Sequence, residues 1–117
     1  MTLILASKSK RRHDLLKKVG VDFDVMESNL DENSIINNNP KLYCQKLAKL
    51  KAQVILKENP NSTIIGADTI VCLNEKTLEK PRDYNEAFKM LRILSGKLHS
   101  VYTGVSILTK TKDFTFI

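Results

Sequence analysis

The sequence predicts an α/β fold, and three observations predict it. Short runs of branched apolar residues alternate with longer amphipathic stretches, in the order strand, helix, strand, helix, strand, helix, strand. Glycine or proline stands at the joints, as at Gly20, Pro40, Pro60 and Gly96. No internal repeat and no long polar linker divides the 117 residues, so they read as one unit with a modest core.

Taken in order, residues 3–6 are expected as a buried strand. Ser7-Lys8-Ser9-Lys10 turns the chain out of it, and Ser7 or Ser9 can cap a helix over about residues 10–19. Leu15, Leu16 and Val19 make the apolar face of that helix, and Gly20 stops it. Residues 23–27 form a short second strand. Residues 29–40 are polar and irregular, with Asn37-Asn38-Asn39 as a loop tip.

A long helix is expected over about residues 40–57, started by Pro40. Tyr43, Leu47, Leu50, Val54 and Ile55 fall on one face of it. Lys51 stands one step past that stripe, where it reads as a rim residue with a snorkelling stem. Lys46, Lys49 and Lys57 read as solvated. Asn59-Pro60-Asn61 breaks the helix, residues 64–73 form a strand, and Asn74-Glu75 is a tight turn. Residues 77–79 are short and extended, and Pro81 keeps Lys80 out of a helix. Asp83 or Asn85 caps a third helix over about residues 84–94, with Ala87, Phe88, Leu91 and Leu94 on its apolar side. Residues 100–108 are a strand with Gly104 as a bulge. Residues 114–117 start another strand and read as the interior of a longer chain.

Lysine and arginine outnumber aspartate and glutamate 19 to 13, a formal net charge of +6. Such a surface suits an anionic partner: a nucleotide, a nucleic acid or a membrane surface. A nucleic-acid reader needs stacking aromatics or a reading helix, and this chain has no tryptophan, few other aromatics and no such motif. No apolar run reaches the roughly 18 residues of a membrane span. The apolar opening lacks the basic flank of a signal peptide. Cys44 and Cys72 form no C-x-x-C pair and read as core thiols of a cytoplasmic protein.

The chemistry centres on Asp68. It lies in the middle of the apolar run 64–73, where an unpaired buried charge would be costly. Asp68 is therefore exposed at a break in the strand, or held by cations or a metal. The plain alternative is that Asp68 and Thr69 make a turn between two short strands. Gly66, two residues earlier, allows close backbone approach or a bulge.

Arg11 and Arg12 occupy the first turn of the first helix, where basic side chains oppose the helix dipole. An anion there would resolve the conflict, held by orphan N–H groups, serine hydroxyls and two guanidinium forks. The alternative is a solvated basic face, to which Lys17 and Lys18 belong. The turn contains no glycine and is not a P-loop.

Collected at strand ends and turns are Ser7, Ser9, Arg11, Arg12, Glu32, Asp68, Thr69 and Lys80. Such carboxylates can hold a hard divalent cation, and such cations can neutralise a polyphosphate. No G-x-S-x-G nucleophile turn is present. His13 reads as structural or solvated, and His99 as packed, with no zinc-ligand spacing.

Several blocks carry a resemblance: Leu5-Ala6-Ser7-Lys8-Ser9-Lys10-Arg11-Arg12 with Leu15-Leu16; Leu47-Ala48 with Lys51-Ala52; Gly66-Ala67-Asp68-Thr69; Lys80-Pro81; and Leu94-Ser95-Gly96 with His99 and Tyr102-Thr103-Gly104. In their order and spacing they resemble the Maf family of nucleoside triphosphate pyrophosphatases. Ala67-Asp68-Thr69 and Glu79-Lys80-Pro81-Arg82-Asp83 look like its dTTP/UTP branch.

The resemblance implies a Maf/inosine triphosphate pyrophosphatase-like fold, a mixed twisted sheet flanked by helices, of which residues 1–117 are the N-terminal part. It implies hydrolysis of a nucleoside triphosphate to the monophosphate and pyrophosphate with Mg or Mn. By the same resemblance Asp68 is the general base, and Glu32 serves metal or water, so both are implied as metal ligands. Ser7, Arg11, Arg12, Lys51 and Lys80 hold phosphates, and Arg11 and Thr69 bear on the base. The expected partner is a nucleoside triphosphate, with no nucleic acid and no membrane, and a homodimer is a further expectation. Lys10 departs from the family's usual proline there. The competing readings are a nucleotide-binding remnant with little turnover and an inosine triphosphate pyrophosphatase-like activity.

Overall fold

The computed structural model describes residues 2–32, 39–74, 76–78 and 81–117, with only the backbone of Lys76. Among these the chain runs β1 (Leu3–Ala6), α1 (Lys10–Val19), β2 (Asp24–Val25), α2 (Pro40–Glu58), β3 (Thr63–Leu73), β4 (Lys76–Leu78), α3 (Tyr84–Leu94), β5 (Ser100–Leu108) and β6 (Asp113–Phe116). The strands form one sheet in the order β2-β1-β3-β5-β6, with β4 paired to β3. β1 is parallel to β2 and β3, and the remaining pairs are antiparallel. This is the expected mixed α/β sheet. Lys80 lies outside the described residues, as do Glu75, Glu79, Asn37 and Asn38 of the expected turns and loop tip.

Length divides the labour between strands. β1 pairs with β3 only as far as Ala6 opposite Gly66. β4 takes up β3 again from Val71. Between those points one edge of β3 is left open, and Asp68 lies in the gap. The strand is continuous through Asp68 and Thr69, which overturns the reading of those two residues as a turn. The β3–β5 register runs without a slip from Ile64 opposite Leu108 to Cys72 opposite Ser100. Gly104 is therefore not a bulge.

Its glycine has another cause. A Cβ on Gly104 would stand 2.8 Å from the Cys44 carbonyl oxygen, and one on Gly66 would collide with the Ala48 carbonyl oxygen. Both glycines let α2 lie close on the sheet. The helix meets them with small side chains four residues apart, Cys44, Ala48 and Ala52. Its buried face is accordingly Cys44, Leu47, Ala48, Ala52 and Ile55. The expected stripe is thus corrected: Tyr43, Leu50 and Val54 are only half-buried, because the bulkier side chains rotate to the flanks of the closest approach. Ile4, Ala6, Ala52, Ile55, Ile64 and Leu108 form the apolar core beneath.

Ser9 caps α1, accepting from the Arg12 N–H at 3.3 Å, and Gly20 closes it at φ 86°. Asp83, not Asn85, caps α3 through Glu86 N–H at 2.8 Å. The apolar faces expected to bury these helices do not do so. Neither helix has a buried residue, and Leu15, Val19, Phe88 and Leu91 are exposed. Phe114 and Phe116, their rings 5.4 Å apart, are also exposed. No helix among the described residues is long and apolar enough to cross a membrane.

Lys49 is not simply solvated. Its ammonium meets the Asp113 carboxylate at 2.6 Å and ties α2 to β6. The Lys49 contact, followed by the Thr115 hydroxyl, holds the Asp113 carboxyl below its ordinary range. The stabilisation is therefore present above the unfolded value and is lost as pH falls through the lower folded value. Lys49→Ala should move the Asp113 titration midpoint upward, read from its carboxyl carbon by NMR. An unmoved midpoint would show the pair to be unformed in solution.

Candidate active site

Strand ends build the cavity. β1 stops at Ala6 and turns through Ser7 to α1, β2 stops at Val25, and the chain that follows returns across the same end. Ligands of α/β sheets collect at such carboxyl ends. A cavity of about 570 Å³ lies there, lined on one side by Ser7, Ser9 and Arg12, and on the other by Asp31, Glu32 and Lys51.

Two lining residues, Glu32 and Lys51, belong to an ion-pair bridge that continues to the buried Asp68. The Lys51 ammonium lies 2.9 Å from Glu32 Oε1 and 2.9 Å from Asp68 Oδ1. Asp68 is 2% exposed, and its Oδ2 has no hydrogen-bond partner among the described residues. Burial alone would pull the Lys51 pKa down, but its hydrogen bonds to Glu32 and then Asp68 outweigh that and hold it above its ordinary value. Removing one partner of so buried a pair would leave an uncompensated ion and is costly. Lys51 belongs to the buried face of α2, seven residues from Cys44 and three from Ala48. The rim reading from periodicity missed this, since it followed the bulky residues.

The opposite wall is a clamp. Arg12 Nη1 donates to Ser7 Oγ at 3.3 Å and to the Ala67 carbonyl at 3.2 Å, and Nη2 donates to Thr69 Oγ1 at 3.0 Å. Arg12 thereby fastens α1 to β3. Ser7 Oγ also accepts from the Ser9 N–H at 3.1 Å. With both lone pairs engaged, its own proton is available to an anionic oxygen. His13 Nε2 donates to the Ser7 carbonyl at 2.8 Å, which makes His13 a support of this turn. Arg12→Lys should keep the charge but lose the fork. A loss of about 1–3 kcal/mol in urea unfolding is expected. Unchanged stability would mean that the three bonds do not form together.

The other expected residues fall differently. Arg11 is exposed and outside the cavity lining. Thr69 lies on the face of β3 opposite Asp68 and shares a 3.0 Å contact with the Thr103 hydroxyl. His99 is exposed rather than packed, its Nδ1 3.5 Å from the Lys97 carbonyl.

Cys44 and Cys72 are both buried and free. Cys44 was not foreseen near the site. Its thiol donates to the Asp68 carbonyl at 3.0 Å and accepts from the Gly104 N–H at 3.2 Å. Burial pushes its pKa up, against the lowering effect of the Gly104 N–H, and keeps it a donor.

A mixed α/β sheet thus carries a cavity bordered by a carboxylate–lysine bridge and a serine–arginine turn. Solved structures share the architecture. The Staphylococcus aureus Ham1 protein superposes with a TM-score of 0.65 at 16% identity, covering 99% of this chain and 68% of that one. The nucleoside-triphosphatase / dITP/XTP pyrophosphatase of Mycobacterium abscessus gives 0.63 at 11%, covering 99% and 70%.

At these identities the likeness is one of fold alone. The chain belongs to the Maf family: the family model described as Maf-like protein matches residues 2–116. It is 50% identical over 116 residues to the dTTP/UTP pyrophosphatase of Thermosipho africanus, covering 99% of this chain and 59% of that protein. It is 46% identical over 118 residues to that of Thermoanaerobacter sp. strain X514, covering 100% and 61%. The chain thus spans about three-fifths of the length of these relatives.

Proposed function

We propose that this chain carries the chemical centre of a nucleoside triphosphate pyrophosphatase acting on dTTP or UTP. Water attacks between the α and β phosphates, and the products are the nucleoside monophosphate and pyrophosphate. The observation that carries the reading is the buried Asp68 carboxylate, fixed through Oδ1 by Lys51 and without a hydrogen-bond partner at Oδ2 among the described residues, close to a cavity edged by a serine–arginine turn. The dTTP/UTP pyrophosphatases matched along nearly the whole chain support the substrate class.

Each residue has a part in the proposal. Asp68 Oδ2 accepts the proton of the attacking water. Ser7, Arg12 and Lys51 receive phosphate oxygens, and the positive end of α1 favours their charge. Arg11, beside Arg12, and Lys80 are assigned to phosphate oxygens by the family resemblance alone. Thr69, held between Arg12 and Thr103, faces the base.

The donors also fit a magnesium or manganese ion. The Glu32 and Asp68 carboxylates are hard oxygen ligands. No group of three or more His, Cys, Asp or Glu among the described residues could hold a metal alone. That suits Mg²⁺, which takes one or two carboxylates and completes its shell with phosphate and water oxygens. When bound, the ion would offset phosphate charge and polarise the reacting phosphorus. The exposed apolar faces of α1 and α3 are open to a second copy, and the free buried cysteines suit a reducing cytoplasm.

A second reading is a nucleotide-binding chain with little turnover. Pyrophosphate release with Mg²⁺ or Mn²⁺, comparing dTTP, UTP and inosine triphosphate, separates the two. Release favouring dTTP or UTP is expected. Binding without release from any of the three would leave the second reading.

A further inference from the structure

We infer that Lys51 is the resident counter-ion of the Asp68–Glu32 pair and must leave it when a divalent cation binds there. Metal arrival and the freeing of a cationic side chain toward the phosphates would then be one event. The inference rests on the proposed reading of Asp68 and Glu32 as metal ligands.

The geometry is specific. One Nζ lies 2.9 Å from both Glu32 Oε1 and Asp68 Oδ1, so the ammonium sits where a cation bridging those carboxylates would sit. A divalent ion on the same oxygens would lie within about 4 Å of Nζ, where like charges repel strongly away from bulk water. Both cations cannot hold the pair. The side chain of Lys51 is 12% exposed and that of Asp68 is 3% exposed, so water screens the conflict little.

Acceptor capacity points the same way. Asp68 Oδ2 has no hydrogen-bond partner among the described residues, so Lys51 does not exhaust what this carboxylate offers a cation. The nearby Arg12 guanidinium is engaged with Ser7, Ala67 and Thr69, so it is not the group that exchanges. Lys51 is a point charge on a flexible four-carbon stem and lines the cavity. A rotamer change, giving up its contacts to Glu32 and Asp68, would carry its ammonium toward a bound anion without displacement of the backbone.

The test measures Mn²⁺ binding by electron paramagnetic resonance on the full chain without nucleotide. Lys51→Met keeps the stem and removes the charge, and should bind Mn²⁺ about tenfold tighter or better. Adding Asp68→Asn to that variant should abolish the gain. Equal or weaker binding by Lys51→Met would overturn the inference, as would a gain that survives Asp68→Asn.

A second measurement uses the unaltered chain, should Lys51→Met fail to fold. Acetylation of Lys51, followed by mass spectrometry, should accelerate when Mn²⁺ saturates the protein. An unchanged rate at saturation would overturn the inference. Neither readout requires turnover, so a chain that releases no pyrophosphate would count against the proposed activity and leave this exchange to be judged separately.

Discussion

Asp68→Asn should leave the chain folded and able to bind dTTP or UTP, while pyrophosphate release falls by roughly two to four orders of magnitude. The substitution preserves shape. An amide oxygen can still accept from Lys51, which keeps Glu32 as its charged partner at 2.9 Å. A buried ammonium is therefore not stranded, and the large penalty for breaking an isolated buried pair is avoided. What changes is the unpartnered atom. Oδ2 is an acceptor in the carboxylate, whereas the amide nitrogen in its place is a donor and can take no proton from water. Isothermal titration with nucleotide and a pyrophosphate assay on the same sample separate binding from turnover. Parent-like turnover would remove Asp68 from the mechanism. Loss of both binding and fold would make it a structural ion pair instead.

Much of this arrangement was legible in the sequence, for identifiable reasons. The helices Lys10–Val19 and Tyr84–Leu94 and the strand Ser100–Leu108 coincide with their expected bounds, because caps and glycine stops mark them locally. Asp68 was identifiable because a lone carboxylate in an apolar strand demands a partner. Its partner was not identifiable by the same logic. Periodicity in α2 weights bulky residues, and those drew the expected face toward Tyr43, Leu50 and Val54. The face is set instead by Gly66 and Gly104 on other strands, which admit Cys44, Ala48 and Ala52 and bring Lys51 with them.

The role of Arg12 was half legible. An anion-seeking side chain at a helix start was evident, but its clamp on Ala67 and Thr69 spans 55 and 57 residues of sequence. The exposed faces of α1 and α3 show the converse limit. Their apolar stripes are real in the sequence, yet a stripe states only that burial is favourable and not which element supplies it.

Gly66→Ala tests the seating of α2 directly and should be the most damaging single-methyl change in the chain. The added Cβ would collide with the Ala48 carbonyl oxygen and stand 2.9 Å from Ala52 Cβ and 3.0 Å from Ala52 N. Two of those three atoms are backbone, so no side-chain rotamer relieves the contact and the helix itself must lift. Overpacking of this kind costs about 1–3 kcal/mol, and the upper end is expected because Gly66 is the last β3 residue paired to β1. Urea unfolding against the parent reads the loss. Gly20→Ala supplies the contrast: no atom lies within 4 Å of its Cβ, and only the φ of 86° opposes it. Its cost should stay near the roughly 1–2 kcal/mol of a left-handed residue and should leave turnover unchanged. Gly66→Ala should also lower turnover in the folded fraction, because Lys51 is one turn along α2 from Ala48 and moves with it away from Asp68. Parent-like stability and turnover in Gly66→Ala would mean that α2 does not lie on the sheet through Ala48. The placement of Lys51 beside Asp68 would then have to come from elsewhere.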